Sequence, residues 1–379
     1  MPSNSLDIKV SLQKLLIALV VIIVPLNFIG LYLSSESNTS LQQVMGAHFR
    51  TIAQADATTA VQFVNDRVID VGAIAMEPAV VDAVVAANQT YERKSPEAIA
   101  ANIAEIDKRW DAPAGDAVVE AMLSSPVSRL LQRRREIDPR FLKIIVTDES
   151  GVPIAATNKP LHYAPVDNLY WQAVSAQGRG GIYVSEVLYD EESRADYFRI
   201  GFPIYGKESR RFIGAASALI DVSSLFSRLS QVQIERSART IVVGEEGTII
   251  SAPNVTPSMK LKSEDYAAVR DALGSPQGRQ AGYVVVPMRG GSRIMGFADT
   301  GLRQMYPNLS WLVMVSQDER EALASVRTVG HFAILMVVVS LLMVTLLAAY
   351  FFLHQKQQLA DIDMKPNGDQ ARGQAASRG

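Results

Sequence analysis

Residues 141–158, FLKIIVTDESGVPIAATN, hold an apolar run rich in β-branched residues, an Asp-Glu-Ser-Gly turn and a second short apolar run. Turn chemistry of this kind between two strand-like segments reads as a β-hairpin. Residues 238–253, ARTIVVGEEGTIISAP, repeat the arrangement around another glycine-containing turn. A pattern that returns in this way predicts two similar α/β units in tandem.

The segments after each hairpin support that reading. After the first come a short helix at 170–176 and strands at 181–188, 197–205 and 211–220, with Gly-Lys-Glu-Ser turning the chain before the last. Asp221 then starts a short helix through Leu229. After the second hairpin, a helix near 263–273 leads to strands at 281–288, 292–299 and 311–316. Ser316-Gln-Asp-Glu319 has capping-box spacing and predicts a helix running through Ala324 and Val326.

The chain ahead of the first hairpin is helical. Leu41, Val44, Met45, Phe49, Ile52, Val61, Val64, Val68, Val71 and Ile74 recur at the period of one helix face, which predicts one long helix. Pro78 ends or kinks it. Ser95-Pro96 and Ser125-Pro126 each pair an N-cap residue with a proline suited to the first helical turn, and open helices to about Lys108 and Arg134.

Two apolar stretches bracket all of this. LLIALVVIIVPLNFIGLYL, residues 15–33, has no charge over a length that crosses a hydrocarbon core of about 30 Å. A cleaved signal peptide competes for this stretch, because Lys9 and Lys14 precede it. Its length and the lack of an Ala-x-Ala pattern after Leu33 favour an uncleaved anchor. Residues 331–353 form a second span closed by Tyr350, Phe351 and Phe352, a suitable interfacial belt. Lysines outside both spans place the termini in the cytoplasm and residues 34–330 outside it.

Composition narrows the function. A net charge of −2 with 20% charged residues argues against nucleic acid and against a polybasic membrane patch. With no cysteine there is no disulfide scaffold, thiolate nucleophile or Cys-ligated zinc. The four histidines are scattered, so no histidine metal site and no cofactor is expected. No Gly-x-Ser-x-Gly elbow, His-Glu-x-x-His or Walker loop supports catalysis, and the chain is not expected to be an enzyme. Gly178-Arg179-Gly180-Gly181 lacks the strand-to-helix context of a dinucleotide loop and reads as a turn. The Asn-x-Ser/Thr sequons at Asn38, Asn88, Asn254 and Asn308 matter only in a eukaryotic secretory route.

Taken in order, the anchor and long helix, IVTDESGVPIAATN, YWQAV with YVSEVLYD, FPIYG with RFIGAASALIDVSSLF, and VVGEEGTIIS resemble the double Cache family. These are extracytoplasmic PAS-like sensor modules of bacterial transmembrane receptors, and the resemblance covers about residues 30–330. It implies an α+β fold of two tandem PAS-like units with antiparallel sheets on a long N-terminal helix, flanked by two transmembrane helices. The expected organisation is a cytoplasmic N-terminus (1–14), first span (15–33), stalk helix with a kinked continuation (34–94), membrane-distal unit (95–230), membrane-proximal unit (231–316), connecting helix (317–330), second span (331–353) and a short disordered cytoplasmic tail (354–379). The distal unit would hold the ligand, and the long helix would mediate a homodimer.

Amino-acid-binding members of the family carry Arg-x-Trp-Tyr, then Tyr-x-Asp, then a final Asp. Here Tyr170 and Trp171 match the aromatic pair, Asp190 the middle acid and Asp221 the last, while Asn168 stands at the arginine position and Leu188 at the tyrosine. An arginine would grip a carboxylate in bidentate fashion; Arg199 or Arg194 would have to supply that charge from another strand. Asn168 suits a neutral or hydroxylated ligand. Each residue also has a structural reading: Asp221 as a helix cap, Asp190 as a solvated loop charge, Tyr170 and Trp171 as core anchors. Three functions follow. The first is a two-pass inner-membrane sensor that takes a small organic acid, amine or amino-acid derivative and signals to a separate cytoplasmic or membrane effector. The second is a structural or assembly subunit of an envelope complex that binds protein or polymer, and the third is an extracytoplasmic enzyme.

Overall fold

The structure, a computed structural model, describes residues 12–112, 116–164, 169–230, 238–253, 255, 259–274, 280–288, 291–322 and 335–350. The chain divides into two units, 1–44 with 320–379, and 45–319. Both sheets lie in the second of these.

Helix α1 runs Leu12–Ala75 with Pro25 inside it. Four helices follow: α2 (Pro78–Gln89), α3 (Pro96–Arg109), α4 (Asp116–Leu123) and α5 (Pro126–Ile137). The Ser-Pro starts behave as their chemistry requires. Ser95 accepts from the Ala98 amide and Ser125 from the Ser128 amide, with the proline in the first turn where its missing N–H costs nothing.

The first sheet contains β1 (Phe141–Asp148), β2 (Pro153–Ala156), β3 (Tyr183–Val184), β4 (Leu188–Asp190), β5 (Ala195–Tyr205) and β6 (Phe212–Asp221), in the order β2-β1-β6-β5-β3 with β4 also on β5. The second contains β7 (Arg239–Val243), β8 (Ile249–Ser251), β9 (Ala281–Met288), β10 (Gly291–Asp299) and β11 (Leu312–Asp318), in the order β8-β7-β11-β10-β9. The two orders are the same path through two successive units, so the tandem repeat read from the hairpins is a repeat of topology. Helices α6 (Leu169–Ser175), α7 (Ser223–Ser230) and α8 (Tyr266–Leu273) complete the units, and α9 (Glu319–Ala322) follows β11.

Each opening hairpin depends on a glycine with positive φ, Gly151 at 81° and Gly247 at 77°. In the first, the Asp148 carboxylate accepts from the Ser150 and Val152 amides at 2.9 and 3.0 Å, closing the turn with a buried acceptor. Tyr91 donates to the same carboxylate at 2.6 Å.

Helix α1 backs both sheets. Its buried stripe includes Phe49, Ala53, Ala57, Ala60, Phe63, Val64, Val68 and Val71. Phe63 meets Phe198 of β5 edge to face at 6.3 Å. A methyl group at Gly72 would strike Phe202, and one at Gly296 of β10 would strike the α1 backbone at Phe49 and Arg50. The buried Arg67 ties the helix to the entry of β1, pairing with Asp138 at 2.7 Å and Asp70 at 2.9 Å.

Three expectations from the sequence are corrected. The strand at 181–188 is two short strands, β3 and β4. Between them the Ser185 hydroxyl accepts the Arg199 amide at 2.8 Å, taking the place of a ladder bond and breaking the strand. Ser316 does not cap a helix: it lies inside β11, opposite Arg239 and Met295, because the ladder continues to Asp318. The short helix after β6 starts at Ser223 rather than Asp221, which closes β6. Among the described residues no helix is long and apolar enough to cross a membrane. The span expected at 331–353 and most side chains of 15–33 lie partly outside those residues, as does the predicted helix through Ala324 and Val326; the tail at 354–379 lies wholly outside.

Gly296→Ala should lower stability by about 1–3 kcal/mol, since the added methyl meets backbone that cannot rotate away. Thermal unfolding of the variant beside the parent chain checks this; an unchanged midpoint would refute the close approach. Asp56, buried on α1 with its Oδ2 unpartnered among the described residues, has its carboxyl pushed up by burial from 3.8 to about 6. Its folded form therefore favours the proton, so the stability is present below pH 3.8 and lost as pH rises through about 6. Asp56→Asn should raise stability at pH 8 by on the order of 2 kcal/mol and leave it nearly unchanged at pH 4, as measured by denaturant midpoints at the two pH values.

Candidate functional site

Strand alternation decides which residues of the first sheet are available. Phe198, Ile200 and Ile204 of β5 are buried on the helix-backed side, so Tyr197, Arg199 and Gly201 point to the opposite face. Helix α6 covers part of this face. A methyl at Gly201 would collide with Tyr170 and Val174, so the glycine is what lets the helix lie on the strand.

Register extends the face across the sheet. Lys143 of β1 is opposite Leu219 of β6, which is opposite Arg199 of β5. One row along, Ile145, Ser217, Gly201 and Tyr183 are in line. The row on the other side brings Asp221 opposite Tyr197, and Tyr197 opposite Leu188. With strands about 4.8 Å apart, Lys143 and Arg199 are about 10 Å apart along the row.

The Arg199 guanidinium lies 5.2 Å from the centre of the Tyr170 ring, a cation over an aromatic face. Tyr170 also meets Tyr183 edge to face at 5.6 Å. Burial pushes the Tyr170 hydroxyl above the ordinary phenol range, against the opposing pull of Ser217 and Arg199. Burial raises Tyr183 too, again opposed by Arg199. Both phenols therefore stay protonated. The Arg199 backbone is fixed by Ser185 in both directions, the amide to the Ser185 hydroxyl at 2.8 Å and the carbonyl from the Ser185 amide at 2.9 Å. Among the described residues no carboxylate lies within ion-pair distance of it.

The other residues expected at the site divide in use. Tyr170 is 7% exposed and packs with Val174, Phe212 and Ala215, and Trp171 lies half-buried on Phe212 at 5.7 Å, so both anchor α6 as well as walling the face. Asp190 is not a solvated loop charge. It pairs with Lys143 at 3.0 Å and accepts from the Ser193 amide at 2.9 Å. Asp221 accepts from the Ser223 amide at 2.7 Å at the entry to α7, one residue ahead of the N-cap position. Asn168 lies outside the described residues, and Arg194 is an exposed turn residue at φ 51°.

Sequence reasoning passed over Lys143, Ser185, Tyr183 and Ser217. Lys143 was visible as the one charge in the otherwise apolar run from Phe141 to Val146, and a charge on the half-covered face of a strand needs a partner. The others are recognisable only from cross-strand register.

A Cache domain family model of the double-Cache type matches residues 37–326, and the chain belongs to that family. No curated protein matches it. Solved structures similar to it include the following three. The ligand-binding domain of the Pseudomonas aeruginosa amino-acid chemoreceptor PctC, bound to GABA, is 15% identical over 72% of this chain and 100% of that one, with a TM-score of 0.45. The ligand-binding domain of the Campylobacter jejuni chemoreceptor Tlp3, bound to L-norvaline, is 11% identical over 75% and 94%, with a TM-score of 0.48. The ligand-binding domain of the Pseudomonas fluorescens chemoreceptor CtaA, bound to L-leucine, is 14% identical over 75% and 99%, with a TM-score of 0.46.

The Lys143–Asp190 pair sets a pH dependence. Burial alone would raise the Asp190 carboxyl, but its bonds to Ser193 and Lys143 outweigh this and hold it below its ordinary 3.8. Its stabilisation is thus present above pH 3.8 and lost as pH falls through the lower folded value. Asp190→Asn should cost about 1–2 kcal/mol at pH 7 and progressively less in strong acid. Urea titrations at pH 7 and pH 3 measure this, and an equal cost at both would show that the charge is not the cause.

Proposed function

We infer that the chain is a membrane-anchored extracytoplasmic sensor, held by spans at 15–33 and 331–353. Its ligand is a small molecule bearing a carboxylate, taken up on the open face of the first sheet. The observation that carries this reading is Arg199: its backbone is fixed by Ser185, and its guanidinium is laid over Tyr170 without a carboxylate partner among the described residues. A guanidinium held this way matches a carboxylate with two parallel hydrogen bonds. Arg199 then supplies the charge that Asn168 lacks. Tyr170, Tyr183 and Trp171 would wall the ligand body, and Asp221 and Asn168 complete the polar rim. Membership of a family of extracytoplasmic sensor modules supports the role, and no catalytic step is assigned.

Because Asp190 is already bound by Lys143, an ammonium would have to displace that cation to reach it. This favours organic acids over free α-amino acids. The signal is a difference in ligand affinity between two arrangements of the unit, passed through α1, which is one helix over Leu12–Ala75, and through the second span to a separate effector. A homodimer along α1 fits the same scheme. The alternative, an assembly subunit whose Cache units hold protein or polymer, draws support from the same Lys143–Asp190 pair, which occupies the position used for an amine.

A thermal-shift screen of residues 34–328 against carboxylates, amino acids, amines and sugars tests the proposal. A carboxylate should raise the midpoint by about 3 °C or more at saturation. Arg199→Ala should weaken binding about 30-fold or more, while Arg194→Ala should have little effect. A well-folded protein that shifts with no member of the panel would leave the assembly reading in its place.

A further inference from the structure

The connection between β10 and β11, residues 300–311, is a compact loop closed at its base: the Thr300 amide and hydroxyl both donate to the Trp311 carbonyl, at 3.1 and 2.8 Å. Leu302 and Leu309 are fully buried, and Gly301 turns the chain at φ 68°. A loop with joined ends and side chains packed inside moves as a body. It belongs to the second sheet, yet its tip reaches the first unit. The Asn308 side-chain amide donates to the Val184 carbonyl of β3 at 3.0 Å. Trp311, 2% exposed, meets Phe198 of β5 at 6.4 Å and Phe226 of α7 at 6.2 Å. The Tyr306 hydroxyl donates to Asn65 of α1 at 3.2 Å.

Two of these contacts flank Arg199. Phe198 precedes it on β5, and Val184 precedes Ser185, which binds the Arg199 backbone in both directions. Ser185 gives its amide to the Arg199 carbonyl, so strand alternation turns the Val184 carbonyl away from β5, toward the edge of the sheet that β3 forms. Asn308 takes that edge acceptor. Because β3 is only two residues long, a bond at its outer side bears directly on where it sits. Beyond the loop the chain enters β11, which leads into α9 without a break.

We propose that the 300–311 loop couples the Arg199–Ser185 strand pair to the second unit, with Asn308 as a positioning residue for Arg199. A change at either end shifts the other, since coupling between sites is reciprocal. That the relayed event is ligand binding rests on the Arg199 reading above. The coupling itself does not, and no ligand enters its test. Tyr306 ties the loop to α1 and Asn308 ties it to β3, so the two branches can be cut one at a time.

Amide hydrogen exchange of the full-length chain in detergent micelles at pH 7, read by mass spectrometry, tests it. Asn308→Ala should speed exchange at the Ser185 and Arg199 amides about threefold or more and leave the β9–β10 ladder unchanged. Asn308→Asp keeps the size of the side chain without a donor and should do the same, which keeps the test decisive if Asn308→Ala folds poorly. In the reverse direction, Ser185→Ala should speed exchange at the Tyr306 and Leu309 amides in the parent chain and add nothing there in the Asn308→Ala background. Tyr306→Phe cuts the tie to α1 and should leave Ser185 and Arg199 at their parent rates. Parent rates at Ser185 and Arg199 in both Asn308 variants, acceleration spread equally over β9–β10, Tyr306 and Leu309 unmoved by Ser185→Ala, or an equal effect from Tyr306→Phe would each overturn the proposal.

Discussion

The contact between α1 and the two sheets fixes the rest of the 45–319 unit. At Gly296 the strand passes so near the helix backbone that no side chain fits, and at Gly72 it is the helix that gives way to Phe202. Alanines at 53, 57 and 60 keep the helix slim over the same length. The consequence reaches beyond packing. Strand residues alternate between faces, so committing Phe198 and Ile200 to the helix side commits Arg199 and Gly201 to the other. A slip of one residue would bury Arg199 against α1 and expose Phe198, a cost large enough to exclude that register. The polar face of the first sheet is therefore a by-product of how the apolar face meets the helix.

Much of this was legible in the sequence because it rests on local chemistry. The two hairpins announce themselves through turns that need Gly151 and Gly247 at positive φ, and the Ser-Pro starts of α3 and α5 are local capping events. The long helix shows in its three-four spacing. The misread places are those where a side chain answers to a partner far away in sequence. Ser316 has capping-box neighbours, yet the two adjoining strands, β7 and β10, hold it in β11, and ladder bonds outweigh a single cap. Ser185 breaks its strand because its hydroxyl binds the amide of Arg199. Asp190, in a run of acids, looked solvated until Lys143 arrived from a strand 47 residues earlier.

The same limit applies to the site. Tyr170, Trp171, Asp190 and Asp221 could be picked out from a motif, but the motif does not say what each is bound to. Register supplies that. Asp190 and Asp221 turn out to have structural duties, toward Lys143 and the Ser223 amide, while Arg199, the least conspicuous of the set in sequence, is the one with its charge unmatched among the described residues.

Repetition of topology also repeats electrostatics. Lys143 and Arg239 both stand on the opening strand of their unit, just ahead of the shift in hairpin register, and each faces the third strand of the path, at Leu219 and Ser316. Each is paired with an acid from outside that strand pair, Asp190 from β4 and Asp265 from the turn before α8. The difference lies in what the next strand contributes. In the first unit it brings Arg199, a second cation with an aromatic platform; in the second it brings Met295, which is buried in the core with Met314 and Phe297. The first face thus keeps its polar surface spread over three strands, and the second gathers its charges around Asp265, Arg239 and Arg293. A divergence of this kind needs only a few side-chain changes on an unchanged ladder, because the strand order and the helix contact already determine which positions face away from α1.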